Sequence, residues 1–286
     1  MFFNMFKEKI IEPMVHEGEI GISLSDGAHI LINCQKVNLL GTAVVLESLN
    51  STYDFVSGKS KIQIMNGGSI CEVSGNVKIG SMKDSAISIV KGKVNITTIN
   101  SCRIDYLKGK AKLGTFNQGT IKFVDEKAKI STMNNGKIYM LRNNAKIATM
   151  INGSIGSICD NACIDTVMHG KIGYTLNKSY IGTINYAELD EMCDFSEVGT
   201  FNDGVVNMLM GNSIVCQQMS GKIKNKTGNS IIIYSQKLDK TLKPKKERAK
   251  KEKKDGEEKP AKQEEQEQTI EQHVQTKIES LEERSE

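Results

Sequence analysis

The residues that come closest to a metal-binding pattern in this 286-residue chain are Cys159, Cys163 and His169. Thiolate and imidazole are preferred zinc ligands, but a closed tetrahedral site needs a fourth ligand, and none follows at a useful spacing. We therefore expect no metal and no other cofactor. The seven cysteines show no spacing that favours disulfide bonds, and no secretory signal is visible, so reduced thiols in a cytoplasmic protein are the simplest interpretation.

A hydrolytic site would need acidic side chains brought together in a cleft, with a base or a metal beside them. Between residues 57 and 187 the chain has seven acidic residues, and they are scattered. It has no tryptophan to hold a sugar, no glycine-rich phosphate-binding loop, and its four histidines are spread along the sequence. These observations predict that the protein is not an enzyme.

Lysines show the clearest common placement, because they recur at seventeen residues or its multiples. One set is Lys61, Lys78, Lys112, Lys129 and Lys146, and a second set, two positions earlier, is Lys59, Lys93, Lys110, Lys127 and Lys178. Residues 57–187 have a net charge of +11, between segments of −4 at 1–56 and −3 at 188–234. Both ends of the central region are therefore expected to be acidic.

Two interpretations of the lysine sets stand side by side. They favour a surface for an anionic partner, such as acidic lipid, an acidic protein or nucleic acid. Alternatively, lysine keeps a strand-rich surface dissolved and discourages pairing of sheet edges. Nucleic acid is the least favoured partner, because no aromatic residues are interleaved with these lysines and arginine is scarce.

Seventeen residues is also the period of an apolar pattern, which must position all of these side chains. Its clearest element is a branched aliphatic residue, any residue, Thr or Ser, and a large apolar residue. Eight copies follow without insertion: Ile79–Met82, Ile96–Ile99, Leu113–Phe116, Ile130–Met133, Ile147–Met150, Ile164–Val167, Ile181–Ile184 and Val198–Phe201. A repeat that keeps its phase over eight copies indicates stacked structural units, and so a solenoid.

One repeat, residues 128–144, predicts the course of a turn. Apolar residues alternate at Ala128 and Ile130 and again at Ile138 and Met140, which is typical of short strands with one buried face. Gly, Asn and Asp recur at two positions per repeat and predict corners. No proline occurs between Pro13 and Pro244, as expected where every strand must donate hydrogen bonds on both sides.

The predicted fold is therefore an all-β, single-stranded β-helix of about a dozen seventeen-residue turns, spanning residues 21–234. Residues 1–20 form a short hydrophobic segment whose Phe2, Phe3, Met5 and Phe6 fit either a membrane-surface anchor or a cap over the solenoid core. Residues 235–286 form a charged tail with almost no apolar residues, predicted to be disordered. Four apolar residues near its end have helical spacing and allow a short partner-binding helix.

A hydrophobic tip (MFFNMF, residues 1–6), a loop-free β-helix at 26–234 and a charged tail resemble the bactofilins, bacterial cytoskeletal proteins. The resemblance implies a right-handed, triangular β-helix that assembles end to end without nucleotide. It also implies a cytoplasmic scaffold, peripheral on the inner face of the membrane, whose partners are its own copies and a client bound by the tail. Candidate polymer-end residues are Ile30, Leu31 and Ile32 at one end and Ile231, Ile232 and Ile233 at the other.

The alternative is a solenoid that does not polymerise and uses the lysine-rich face to hold an anionic partner, in a phage or mobile-element setting. The candidate residues of this face are Lys61, Lys78, Lys93, Lys110, Lys112, Lys127, Lys129 and Lys146. Formation of filaments would favour the scaffold. A salt-sensitive complex made by monomers would favour the binding rod.

Overall fold

The computed structural model describes residues 12–234, so the candidate anchor residues Phe2, Phe3, Met5 and Phe6 and the tail at 235–286 lie outside the described residues. Within residues 12–234 there are twenty-two strands and no helix. The strands are β1 (Met14–Glu17), β2 (Ser23–Leu24), β3 (Ala28–Ile32), β4 (Val37–Leu39), β5 (Val44–Leu49), β6 (Thr52–Val56), β7 (Lys61–Asn66), β8 (Ser69–Val73), β9 (Lys78–Lys83), β10 (Ala86–Val90), β11 (Asn95–Leu107), β12 (Lys112–Val124), β13 (Lys129–Asn134), β14 (Lys137–Leu141), β15 (Lys146–Ile158), β16 (Cys163–Thr175), β17 (Tyr180–Met192), β18 (Glu197–Phe201), β19 (Gly204–Leu209), β20 (Ile214–Gln218), β21 (Lys222–Lys226) and β22 (Ile231–Tyr234).

Every strand pairing is parallel and joins one turn to the next, which confirms the predicted β-solenoid. Two strand-bearing sides stack in register, and the thirteen-residue strands such as β11 and β12 continue from the first side onto the second. The described chain makes about thirteen turns. At the usual spacing between paired strands, this gives a rod about 60 Å long. The right-handed winding and the triangular section stay predictions.

The seventeen-residue register holds from β5 to the pairing of β20 with β22, where it shifts between Val215 and Gln218, and it does not hold before β5. Val45 pairs with Ile62 and Ile62 with Ile79, each seventeen residues apart. In the first turn Met14 pairs with His29, fifteen residues on, and the register shifts within the pairing of β3 with β5. The ladder thus begins at Met14, within the segment predicted as a cap, although its shorter turns break the sequence period.

The core is a set of stacked side-chain columns enclosed by the turns. In the turn that begins at β12, Leu113, Phe116, Ile121, Val124 and Ala128 are all buried. Ile138 is buried as predicted. The predicted burial of Met140 is wrong, because Met140 faces outward and Leu141 is buried instead. In a turn that curves around a closed core, more side chains point outward than inward. Two successive outward side chains therefore separate many of the inward side chains.

Both predicted corners carry residues with positive φ. At one corner Gly75 and Gly92 have φ of 86° and 84°, and Glu126, the one residue there that departs from the Gly, Asn and Asp pattern, also adopts φ of 58°. At the other, Gly119 has φ of 97°, and a Cβ there would overlap the carbonyl oxygen of Cys102 one turn below. Only glycine fits such a position, because the neighbouring backbone cannot move away.

Substitution of Phe116 tests how much a buried side-chain column contributes to the stability of the fold. Phe116 is fully buried between Ile99 and Met133 of the neighbouring turns. We expect Phe116→Ala to lower the free energy of unfolding by about 3–5 kcal/mol, because the cavity cannot collapse inside a rigid ladder. Urea unfolding would measure it, with the outward, exposed Tyr139→Ala as control. Equal effects of the two substitutions would contradict the assigned core.

Candidate functional site

The first lysine set forms one outward column, as predicted. Lys61 pairs with Lys78, and Lys129 lies between Lys112 and Lys146 on adjacent strands. Asn95 occupies the position between Lys78 and Lys112 and interrupts the column. Paired strands lie about 4.8 Å apart, so these ammonium groups are close enough to repel one another.

The second lysine set lies on the adjacent corner. The backbone N–H of Lys93 donates to the carbonyl of Gly75 at 2.8 Å, and that of Lys110 donates to Gly92 at 2.9 Å. Five glycines, Gly41, Gly58, Gly75, Gly92 and Gly109, stack here, and a Cβ on any of the last four would press on the glycine one turn below. This corner is therefore a strip of bare backbone five turns long.

A third set of basic residues, which the sequence analysis missed, lies on the other side of the glycine strip. Lys91 and Lys108 recur seventeen residues apart, so the same period could have found them. Together with Lys93, Lys110 and Lys127 they line an open groove of about 1010 Å³ over the glycines. We call this feature the basic groove.

Few charges in the described chain neutralise the lysines of this region. Lys91 pairs with Glu72 at 2.9 Å, and Lys146 pairs with Asp165 at 2.8 Å. The hydrogen bond that Lys146 donates to the Asp165 carboxylate raises the pKa of Lys146, so this lysine stays charged. Within residues 12–234, no ion pair forms for the remaining lysines of the two sets and the groove: Lys59, Lys61, Lys78, Lys93, Lys108, Lys110, Lys112, Lys127, Lys129 and Lys178.

An outward aromatic stripe runs beside the basic groove, although no aromatic residue lies within the first lysine column itself. Tyr106 and Phe123 stack at 5.0 Å between ring centroids, and Ile89 and Met140 continue the same column. The guanidinium of Arg142 lies 5.3 Å from the centroid of Phe123. The stripe was missed because the assumed alternation placed Met140, and hence this whole column, inside the core.

Asp125 precedes Glu126, the one acidic residue that lines the basic groove. The carboxylate of Asp125 accepts hydrogen bonds from Arg142 at 2.8 Å, from the backbone N–H of Glu126 at 2.6 Å, and from the amide of Asn143. Burial alone would raise the pKa of Asp125. The three hydrogen bonds outweigh burial and hold the pKa of this carboxyl below its usual range. Glu126 can therefore adopt a glycine-like corner, because a side chain holds its N–H.

The two ends of the described ladder differ from its body. β1, β2, β21 and β22 each pair with a described strand on one side alone. The candidate end residues Ile30, Leu31 and Ile32 are not at the end, since β1 pairs over them and Leu31 is fully buried. The N-terminal end of the described ladder carries Met14, Val15 and Ile20, which are 54, 61 and 67 % exposed.

The opposite end agrees with its assignment. Ile231, Ile232 and Ile233 belong to β22, the last described strand. Ile232 packs against the core, whereas Ile231 is 40 % exposed and Tyr234 is 66 % exposed. Apolar side chains thus lie beside an unpaired strand edge at both ends of the described ladder.

Cys159, Cys163 and His169 do not form a metal site. The cysteines flank a corner, whereas His169 stacks on Tyr186 at 5.3 Å between ring centroids. Burial raises the pKa of the Cys159 and Cys163 thiols, which favours the protonated, weakly nucleophilic form. Across residues 12–234, no three His, Cys, Asp or Glu side chains lie close enough together to hold a metal ion.

Comparison with known proteins does not extend this description. No protein-family model, curated protein or solved structure matches the chain. No element in the described part of the chain is a helix long and apolar enough to cross a bilayer. The ends of the described ladder and the basic groove are therefore its two candidate functional surfaces.

Asp125→Asn tests how much the hydrogen-bonded carboxylate of Asp125 stabilises the fold beside the groove. We expect it to lower the free energy of unfolding at pH 7 by about 2 kcal/mol, since a charged acceptor of three hydrogen bonds is lost. The folded pKa is depressed, so this stability is present above the unfolded pKa of about 3.9 and is lost as the pH falls through the folded pKa. Urea unfolding between pH 7 and pH 2 should show the variant and the parent protein converging.

Asp165→Asn is the matched control, because it removes an exposed pair with Lys146. An exposed ion pair contributes about 0–1 kcal/mol, so this variant should stay close to the parent protein at every pH. A difference for Asp125→Asn that does not shrink toward pH 2 would contradict the ionised role of Asp125.

Proposed function

We propose that this protein is a structural scaffold that assembles end to end into filaments without nucleotide. The observation that carries the proposal is that four end strands, β1, β2, β21 and β22, have one edge with no partner strand among residues 12–234, beside exposed apolar side chains. Such an edge offers rows of N–H and C=O groups to another copy. No inserted loop blocks either end within residues 12–234.

The architectural resemblance to the bactofilins supports the same proposal. It adds a cytoplasmic location on the inner face of the membrane, with the hydrophobic segment as one contact and the charged tail as the site of a client. A single short apolar segment binds a membrane weakly, so the polymer would strengthen this contact by presenting many copies at once.

Negative-stain electron microscopy of the full-length protein, without nucleotide and at two salt concentrations, tests the proposal. We expect filaments, and we expect Ile232→Asp to leave single rods about 60 Å long, because a buried charge would enter the end contact. The matched control is Ile64→Asp, at a 45 % exposed position on the side of the rod. Uniform short rods from the parent protein would refute the scaffold.

The second candidate function is the holding of an anionic partner, and the specific observation that favours it is the basic groove. Five lysines line this groove, and Lys93, Lys108, Lys110 and Lys127 form no ion pair within the described chain. Their charge is therefore available to an acidic surface, with lipid headgroups the simplest source. This function does not exclude assembly, because the groove and the ends are separate.

Replacing Lys93, Lys110 and Lys127 together with Glu tests the groove. We expect affinity for phosphatidylserine-containing vesicles to fall on the order of 100-fold or more, since each basic residue near an anionic surface contributes about 1 kcal/mol. The control replaces Lys83, Lys122 and Lys137, which lie outside the groove, with Glu. Vesicle flotation at low and high salt measures binding, and equal losses in both variants would argue against a specific groove.

A further inference from the structure

The N-terminal end of the described ladder is uniformly acidic. Residues 12–28, which form its first turn, contain Glu12, Glu17, Glu19 and Asp26 and no lysine or arginine. All four acidic residues are exposed. Glu19 accepts a hydrogen bond from His16 at 3.0 Å, while Glu12, Glu17 and Asp26 form no ion pair within residues 12–234. The first turn thus presents a net charge of −4 with the histidines taken as neutral.

The C-terminal end of the described ladder is basic, which corrects the expectation of two acidic ends. The segment 188–234 has a net charge of −3, but its six acidic residues all lie at or before Asp203. Residues 204–234 contain Lys222, Lys224 and Lys226 and no acidic residue. These lysines lie on β21, are exposed, and form no ion pair in the described part of the chain. The last turns therefore present a net charge of +3.

Apolar surface accompanies the opposite charges at each end. Lys222, Lys224 and Lys226 surround a recess of about 380 Å³ whose apolar wall includes Ile223 and Ile232. The acidic end carries the exposed side chains of Met14, Val15 and Ile20. One end thus combines a basic recess with the apolar side chains of Ile223 and Ile232, and the other combines apolar side chains with an acidic rim.

We propose that copies of this chain join head to tail, with the acidic first turn of one copy against the basic recess of the next. Head-to-head contact would bring −4 against −4, and tail-to-tail contact would bring +3 against +3, so both are disfavoured by repulsion. A head-to-tail contact joins two different surfaces, and such a contact continues without closing along a rod. The resulting filament has a direction. This inference rests on the proposed end-to-end assembly and specifies its polarity.

Charge reversal at one end at a time tests the polarity. The head variant replaces Glu12, Glu17 and Asp26 with Lys, which makes both ends basic. The tail variant replaces Lys222, Lys224 and Lys226 with Glu, which makes both ends acidic. At low salt we expect each variant alone to need at least a tenfold higher concentration to assemble, measured by sedimentation and electron microscopy.

A 1:1 mixture of the two variants should assemble again as an alternating filament, because each head then meets a tail of opposite charge. The variant with Lys83, Lys122 and Lys137 replaced by Glu is the control, since it changes three lysines that lie outside the basic groove and away from the ends, and it should assemble like the parent protein. Thermal unfolding of every variant checks that the fold is intact.

The outcomes separate this inference from the function on which it rests. If the parent protein forms no filaments at any salt concentration, end-to-end assembly fails and the polarity fails with it. If the parent protein forms filaments and each single-end variant assembles equally well, assembly stands but head-to-tail charge pairing is overturned. Loss of assembly in both single variants, with recovery in the mixture, is the result that supports the polarity.

Discussion

The hydrogen-bond ladder that joins each turn to the turn below is the constraint on which the rest of this structure depends. It continues through the corners, where Asn76 N–H donates to the Gly58 carbonyl at 2.8 Å and Lys78 N–H donates to Ser60 at 3.1 Å. Each turn therefore fixes the position of the next turn, residue by residue. Side chains seventeen residues apart must stack in columns, whether or not their chemistry favours it.

Some columns gain from this stacking, and others lose. Asn117 donates its side-chain amide to Asn100 at 2.9 Å, and Asn134 donates to Asn117 at 2.8 Å, so the amide column adds its own hydrogen bonds to the ladder. The lysine columns repel themselves, because the ladder holds their ammonium groups near one another and the pair of Lys146 with Asp165 is their one ion pair within the described chain. The ladder therefore maintains a positive potential on this side of the described turns.

The sequence predicted the parts of the molecule that repeat with a strict period. The Ile-x-Thr-Met element at Ile130 located the first strand of every central turn, and glycine, Asn and Asp located the corners. The outward aromatic stripe was missed because period-two alternation was extended to Met140, although a curved wall places two outward residues in succession. The first turn was missed because it has fifteen residues, so its strand β1 falls out of phase with the repeat.

The ends of the described ladder differ from its body, because each turn of a parallel ladder offers the same backbone N–H and C=O groups to a further turn. Every interior turn forms backbone hydrogen bonds with a turn on each side. The end turns have the same N–H and C=O groups, but a described neighbour on one side alone. Charge is the property that distinguishes one end from the other here: Glu17 and Asp26 lie on the first turn, and Lys222 and Lys224 lie on the last. The net charges of the long segments 1–56 and 188–234 do not show this difference. Acidic residues inside the ladder, such as Glu188 and Asp203, outnumber the final lysines in that sum. Only the boundaries of the strands reveal which charges belong to an end of the described ladder.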